Sequence, residues 1–128
     1  MKAYDIYKRV LAIMFENEGE DKVFYEKFIE ILNLLICEAL PYENSCRASR
    51  GEEELVSAPT VETMEDEVKI SHDICSVALP YGVAAYFSSD DGESYNAAMY
   101  RERYINALGE AAKHRIGDVV DVYGGERI

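Results

Sequence analysis

Two histidines, three cysteines and two acidic runs are the side chains of this 128-residue sequence whose types could do chemistry. His72 and His114 lie far apart, and neither stands at zinc-ligand spacing from a cysteine. The sequence contains no phosphate-binding loop, no dinucleotide fingerprint and no nucleophile-elbow motif. We therefore predict a protein that is not an enzyme, with no catalytic residues, no metal and no cofactor.

The acidic runs could in principle hold a cation, but they lack the alternating spacing and the glycine of a calcium loop. Their members are Glu52, Glu53, Glu54, Glu65, Asp66 and Glu67. The formal net charge is −12, and acidic residues are densest between residues 43 and 73. Because gripping DNA phosphates needs clustered Lys and Arg, these runs predict a solvated face, an ion-pairing patch or a face for a basic partner.

The cysteines indicate the redox state of the compartment in which the protein is found. Cys37, Cys46 and Cys75 are odd in number and show no C-x-x-C spacing, which favours a reducing compartment. The first ten residues have mixed charge and no apolar core, so we expect no signal peptide. No apolar run approaches the ~20 residues that span a bilayer, and we expect no membrane contact.

Apolar periodicity predicts a single, mainly α-helical domain over 1–128 that resembles a four-helix bundle. The predicted helices cover 3–16, 21–40, 71–88 and 92–113. The second is the clearest, since its apolar stripe is continuous: Phe24, Phe28, Ile31, Leu32, Leu35, Ile36 and Ala39. Ile29, Leu34 and Leu40 widen that stripe, which predicts burial against two other helices or against a neighbouring subunit.

Two prolines lie in identical tetrapeptides, Ala-Leu-Pro-Tyr, but we predict different structures for them. Leu40 precedes Pro41 and polar residues follow, so we predict that the second helix ends there. Residues 41–70 then form a long acidic irregular segment, with room for short strands or a hairpin. Apolar periodicity continues past Pro80, which predicts a kinked helix in which Gly82 lets a neighbouring backbone come close.

In the C-terminal residues, the spacing of apolar side chains no longer fits a helix. Residues 114–128 are predicted to form one short strand or an arm, because Val119, Val120, Val122 and Tyr123 are β-formers. A single strand needs a partner, either in the 41–70 segment or on another chain.

Tyrosine is abundant, with ten residues and no tryptophan in the chain. Five tyrosines cluster on the third and fourth predicted helices: Tyr81, Tyr86, Tyr95, Tyr100 and Tyr104. They predict either a core seam between the two helices or a subunit interface, where tyrosine is enriched.

Two segments carry a family resemblance. These are "ALPYGVAAYFSSDDG", containing Leu79–Ala85, and "YRERYINAL", containing Arg103, Tyr104, Ala107 and Leu108. With two helices and an acidic segment before them, this layout resembles the head–tail connector (neck adaptor) proteins of tailed bacteriophages and prophages. The resemblance covers nearly the whole chain, although its motifs are packing motifs.

The resemblance implies a structural virion protein, made in the bacterial cytoplasm and located in the neck. It would assemble as a homo-oligomeric ring beneath the portal and contact portal and tail-completion proteins. It would extend the DNA channel without gripping DNA, with the two acidic runs as a channel wall that repels phosphates. The suspected interface residues are Tyr81, Gly82, Tyr86, Tyr100, Tyr104, Val120, Val122 and Tyr123. The alternative prediction is an acidic interaction module, such as a DNA mimic or an inhibitor of a basic partner.

Overall fold

The computed structural model describes the backbone of residues 1–124 and the side chains of residues 1–113. Its helices are α1 (Ala3–Met14), α2 (Lys22–Ser49), α3 (Leu79–Asp90) and α4 (Ser94–Gly124). A short π-helix, Ile74–Ala78, leads directly into α3 and is called the π segment below. Since α3 packs against α1, α2 and α4, it is the central helix, and the predicted mainly helical bundle is confirmed.

The core is built from the apolar stripe of α2. Asp21 caps this helix, its Oδ1 accepting a hydrogen bond of 2.9 Å from the backbone N–H of Phe24. All seven residues of the predicted stripe are buried. At one end of the bundle, the rings of Phe24 and Phe87 lie 4.2 Å apart, and Tyr7 of α1 packs on the same cluster.

The predicted end of α2 at Leu40 is wrong, because the helix continues through Pro41 to Ser49. A proline inside a helix removes one backbone hydrogen bond and costs roughly 3 kcal/mol. The additional turns offset this cost by burying Glu43 and Cys46. Gly51, with φ +74°, follows the helix and turns the chain back.

At the second proline the chain remains helical, as predicted, but the turns before it are π-helical. The backbone N–H of Leu79 bonds to the carbonyl of Ile74, five residues earlier. Pro80 lacks an N–H that would reach the carbonyl of Ser76. The Arg9 guanidinium of α1 donates to that carbonyl at 3.1 Å, so the carbonyl is satisfied.

The irregular segment is shorter than predicted and begins after α2. Two asparagines on one face of α2 hold it in extended form. Asn44 makes hydrogen bonds to both the N–H and the C=O of Leu55, at 2.8 and 3.1 Å. Asn33 does the same for Val61, with both distances 2.8 Å. Because the asparagine side chains occupy these groups, the predicted hairpin does not form.

The described residues contain no β-strand, only an isolated bridge between Lys2 and Glu67. The predicted C-terminal strand is wrong for the described backbone, since α4 continues through Gly124. Helical hydrogen bonds within one segment need no second strand, whereas a lone strand would need one. The predicted interface residues Val120, Val122 and Tyr123 lie outside the residues whose side chains are described.

No helix in the described part of the chain is both long enough and apolar enough to cross a bilayer.

Candidate interaction surface

The two segments that carry the resemblance meet in one seam between α3 and α4. Gly82 is buried there, directly against the ring of Tyr104. A Cβ at position 82 would lie 2.9 Å from Cδ1 of Tyr104 and 3.0 Å from Cδ1 of Leu35. Glycine therefore allows the two helices to approach closely. The sequence predicts a close contact at Gly82 with the fourth helix or with a neighbouring subunit, and in the structure α4 makes that contact.

Tyr104 is part of the chain's own core and has no exposed surface. Its hydroxyl lies 3.5 Å from the carbonyl oxygen of Leu35. Burial, together with the nearby carboxylate of Glu38, raises the pKa of the Tyr104 hydroxyl well above its usual range. Because the Tyr104 side chain is wholly buried inside the folded chain, it offers no surface to another subunit, and its predicted place in an interface is corrected to a place in the core. Gly82 packs against Tyr104 on one side and also lines a surface groove between α3 and α4.

Tyr81 and Tyr100 are half-buried and adjoin each other at the junction of α1, α3 and α4. Their ring centres are 6.2 Å apart. The Arg103 guanidinium lies 5.6 Å from the centre of the Tyr81 ring and donates to its hydroxyl at 3.4 Å. The Tyr100 hydroxyl donates to the carbonyl of Ile13 at 3.4 Å. Arginine and tyrosine thus form a partly solvent-facing polar and aromatic cluster.

Tyr86 is exposed and separates two open grooves on the surface. The groove between α3 and α4 has a volume of about 320 Å³ and is lined mostly by small side chains: Gly82, Ala85, Ser89, Ala97 and Ala98, with Arg101 at its edge. The groove between α2 and α3 has a volume of about 330 Å³ and includes Val23, Leu34 and Phe87. Exposed aromatic and aliphatic side chains around shallow grooves are typical of protein-binding surfaces.

Most residues of the two acidic runs have partners within the chain. The Lys2 ammonium pairs with Glu65 at 3.2 Å, and the amino group of Met1 pairs with Glu67 at 2.9 Å. Asp66 accepts backbone hydrogen bonds from Glu62 and Thr63, and these bonds hold the pKa of its carboxyl below the usual range.

In the first run, Glu52 pairs with Arg50. The carboxylates of Glu53 and Glu54 are exposed, and no ion pair involves either of them within the described side chains. The six predicted acidic residues therefore do not act alike. The second run anchors the irregular segment to the N-terminal residues, and the first contains the more available negative charge.

A buried carboxylate that sequence reasoning missed lies just after Pro41. The Glu43 side chain is 1% exposed, and its Oε2 accepts from Arg47 Nε at 2.8 Å. Its Oε1 accepts from the backbone N–H of Ser71 at 2.8 Å, where the chain enters the π segment. Glu43 thus ties the end of α2 to the start of the next helical region. The predicted helix end at Leu40 concealed the only available signal, an i, i+4 Glu–Arg pair.

The thiols differ sharply in environment. Cys37 is exposed, whereas Cys75 in the π segment is buried. Burial raises the pKa of the Cys75 thiol to about 11. The thiol lies 3.6 Å from the carbonyl oxygen of Ile70. Among the described residues, no three His, Cys, Asp or Glu side chains come together in a way that could hold a metal ion.

Comparison of the chain with models of protein families, with curated proteins and with solved structures gave no match.

Proposed function

We propose that this chain is a structural protein of a tailed-phage virion, a head–tail connector that assembles as a ring beneath the portal. In this role it extends the DNA channel toward the tail and contacts portal and tail-completion proteins. One observation carries the proposal: the two segments of the connector resemblance meet in a single α3–α4 seam. This seam supports a rigid surface centred on Tyr86.

A ring requires a heterologous interface, in which each subunit contributes two different patches. The small-residue groove beside Tyr86 is suited to receive a side chain from a neighbouring subunit. A second open groove, between the π segment and α4, is lined by Val77, Ala107 and Ala111, with Asp73 and Glu110 at its rim. The first groove includes the cation Arg101 and the second includes the anions Asp73 and Glu110, so the two patches carry opposite charges, which favours head-to-tail packing.

The charge of the surface is compatible with DNA that passes without being held. Arg101 pairs with Glu38 at 2.8 Å, and Arg103 lies on Tyr81. These two cations are therefore partly engaged within the chain. Exposed carboxylates such as Glu53 and Glu54 repel phosphates, so an acidic wall lets DNA slide.

The test is co-sedimentation of the purified chain with the portal protein of the same phage or prophage. We expect comigration and, at high protein concentration, rings in electron micrographs. Tyr86→Ala should weaken both, because it removes the exposed ring between the grooves. Tyr25→Ala is the matched control, since Tyr25 has nearly the same exposure but lies on α2. A folded wild-type chain that fails to comigrate at every salt concentration would overturn the proposal.

A further inference from the structure

The solvent-facing side of α2 carries a short ordered stripe. Val23, Lys27, Glu30 and Leu34 follow one another at steps of four, three and four residues. This spacing aligns their side chains along one face over about three helical turns. All four are exposed, and they lie along the α2–α3 groove, beside the inward stripe that forms the core. They are called the α2 stripe below.

The α2 stripe is apolar at both ends and charged in the middle. Val23 and Leu34 are 61% and 58% exposed, and Tyr86, which is 51% exposed, stands beside them across the α2–α3 groove. Lys27 and Glu30 form no ion pair with any side chain that the structure describes. A patch of apolar surface with two uncompensated opposite charges at its centre is suited to a partner with the reverse order of charges.

Two copies of the α2 stripe complement each other when they run in opposite directions. In an antiparallel pair related by a two-fold axis between residues 28 and 29, Val23 lies opposite the partner's Leu34. Lys27 then lies opposite the partner's Glu30, and the symmetry generates each contact twice. We propose that the α2 stripe binds a second copy of this chain in this antiparallel two-fold arrangement.

Charge explains why the partner is a second copy in this orientation. Two chains with a formal net charge of −12 repel each other, so a self-interface must supply local attraction. The antiparallel arrangement supplies two Lys–Glu pairs flanked by two Val–Leu contacts. A parallel arrangement would place Lys27 against the partner's Lys27 and Glu30 against the partner's Glu30, which is repulsive.

The interface is small. The α2 stripe covers residues 23–34, about 18 Å of helix, with Tyr86 at its edge. Such a contact is expected to give a weak, reversible dimer. It adjoins the ring surface proposed above at Tyr86, but it is built on α2 and is two-fold, whereas the ring surface uses α3 and α4 and is heterologous.

A charge-exchange experiment tests the pairing. Sedimentation equilibrium at low salt would compare wild type with Lys27→Glu, Glu30→Lys and the double variant. Each single variant faces like charges across the axis and should raise the dimer Kd by tenfold or more, about 1.4 kcal/mol. The double variant restores opposite charges and should return to within a few-fold of wild type. Lys69→Glu, an exposed change outside the stripe, should leave the Kd near the wild-type value.

Mixing the two single variants provides the sharper result. Lys27→Glu and Glu30→Lys should form a heterodimer, because one chain then carries two negative charges where the other carries two positive ones. Circular dichroism would check that the exposed substitutions leave the fold intact. The proposal is overturned if wild type stays monomeric to millimolar concentration. It is also overturned if the double variant or the mixture is as dissociated as the singles. Portal comigration should be unchanged in all of these variants.

Discussion

The two Ala-Leu-Pro-Tyr segments, residues 39–42 and 78–81, each place a proline within a helical part of the chain. The surroundings of the two prolines differ. Pro41 is exposed in the middle of α2, whereas Pro80 is buried immediately after the π segment. The carbonyl that Pro80 leaves without its helical donor belongs to Ser76, and Arg9 donates to it. The corresponding carbonyl at Pro41 belongs to Cys37, an exposed residue, where water can take the place of the missing donor.

The residue that follows each tetrapeptide determines which contacts that part of the helix makes. Glu43 follows the first and is a buried anion that binds Arg47 and the N–H of Ser71. Gly82 follows the second and lets the Tyr104 ring come close to the backbone. The same four residues therefore introduce a polar link in one place and close packing in the other. The comparison shows that tertiary contacts, more than the proline, determine whether a helix continues.

The largest effect should come from removing the polar link. The Glu43 carboxylate lies 2.8 Å from Arg47 and 3.9 Å from Arg50. Glu43→Ala removes this anion from both arginines and leaves the Ser71 N–H without an acceptor. Because those arginines are partly exposed, we expect a loss of about 3 kcal/mol in the free energy of unfolding, at the low end for a buried ion pair. Glu43→Gln keeps an acceptor for Ser71 and should lose less, about 1–2 kcal/mol. Urea unfolding at neutral pH measures both, and a Glu43→Gln variant as stable as wild type would contradict the charged link.

The close packing at the second segment should be somewhat less costly to disturb. Gly82→Ala places a Cβ 2.9 Å from the Tyr104 ring, and we expect a loss of about 2 kcal/mol from overpacking. Gly109→Ala in α4 is the control, because a Cβ there meets nothing within 4 Å. It should stabilise the helix by about 0.5–1 kcal/mol. If both glycines tolerated alanine equally in thermal unfolding, the close approach would not matter.

Much of the bundle could be predicted because helical periodicity is a local signal. The inward stripe of α2 was predicted residue by residue. A close contact at Gly82 was also predicted, but the sequence left open whether its partner is the fourth helix or a neighbouring subunit. The continuation past Pro41 could not be predicted, since it depends on distant partners. Asn44 accepts a hydrogen bond from the backbone N–H of Leu55, and Glu43 accepts one from the backbone N–H of Ser71. These contacts are absent from any local window of sequence.

The candidate surface was predicted less well, because spacing alone does not distinguish the inner from the outer side of a tyrosine-rich seam. Tyr104 and Tyr86 both belonged to the predicted interface, yet one is in the core and the other is exposed. Leu34 was counted with the stripe that packs inward, and it lies on the solvent-facing side of α2. Only the positions of α3 and α4 around α2 decide these differences.

Replacing each proline by alanine tests the comparison directly. Pro41→Ala restores a backbone donor on the exposed side of α2 and should stabilise the protein by about 1–2 kcal/mol. Pro80→Ala should change stability by less than about 1 kcal/mol, because the gain of a donor is offset by lost burial of the ring and by the existing Arg9 bond. Thermal unfolding of the two variants side by side measures this difference. A larger gain at position 80 would reverse our interpretation of the two sites.

The smallest effect concerns the cysteines that precede the two segments and appears as a pH dependence. The pKa of Cys75 is raised to about 11 in the folded chain, so the unfolded chain loses this proton first as pH rises. Stability is therefore complete below the ordinary thiol pKa and declines above it. We expect a loss of about 1 kcal/mol between pH 8 and 9.5.

Urea unfolding across that pH range should show a shallower decline for Cys75→Ala than for wild type, whatever the variant's stability at pH 8. Cys37→Ala, which removes an exposed thiol, should keep the wild-type slope. Stopping at pH 9.5 keeps the contribution of tyrosine ionisation small, because the ordinary tyrosine pKa is about 10. If Cys75→Ala retained the full slope, the alkaline loss would not arise from the thiol of the π segment. The second Ala-Leu-Pro-Tyr segment would then differ from the first in packing alone.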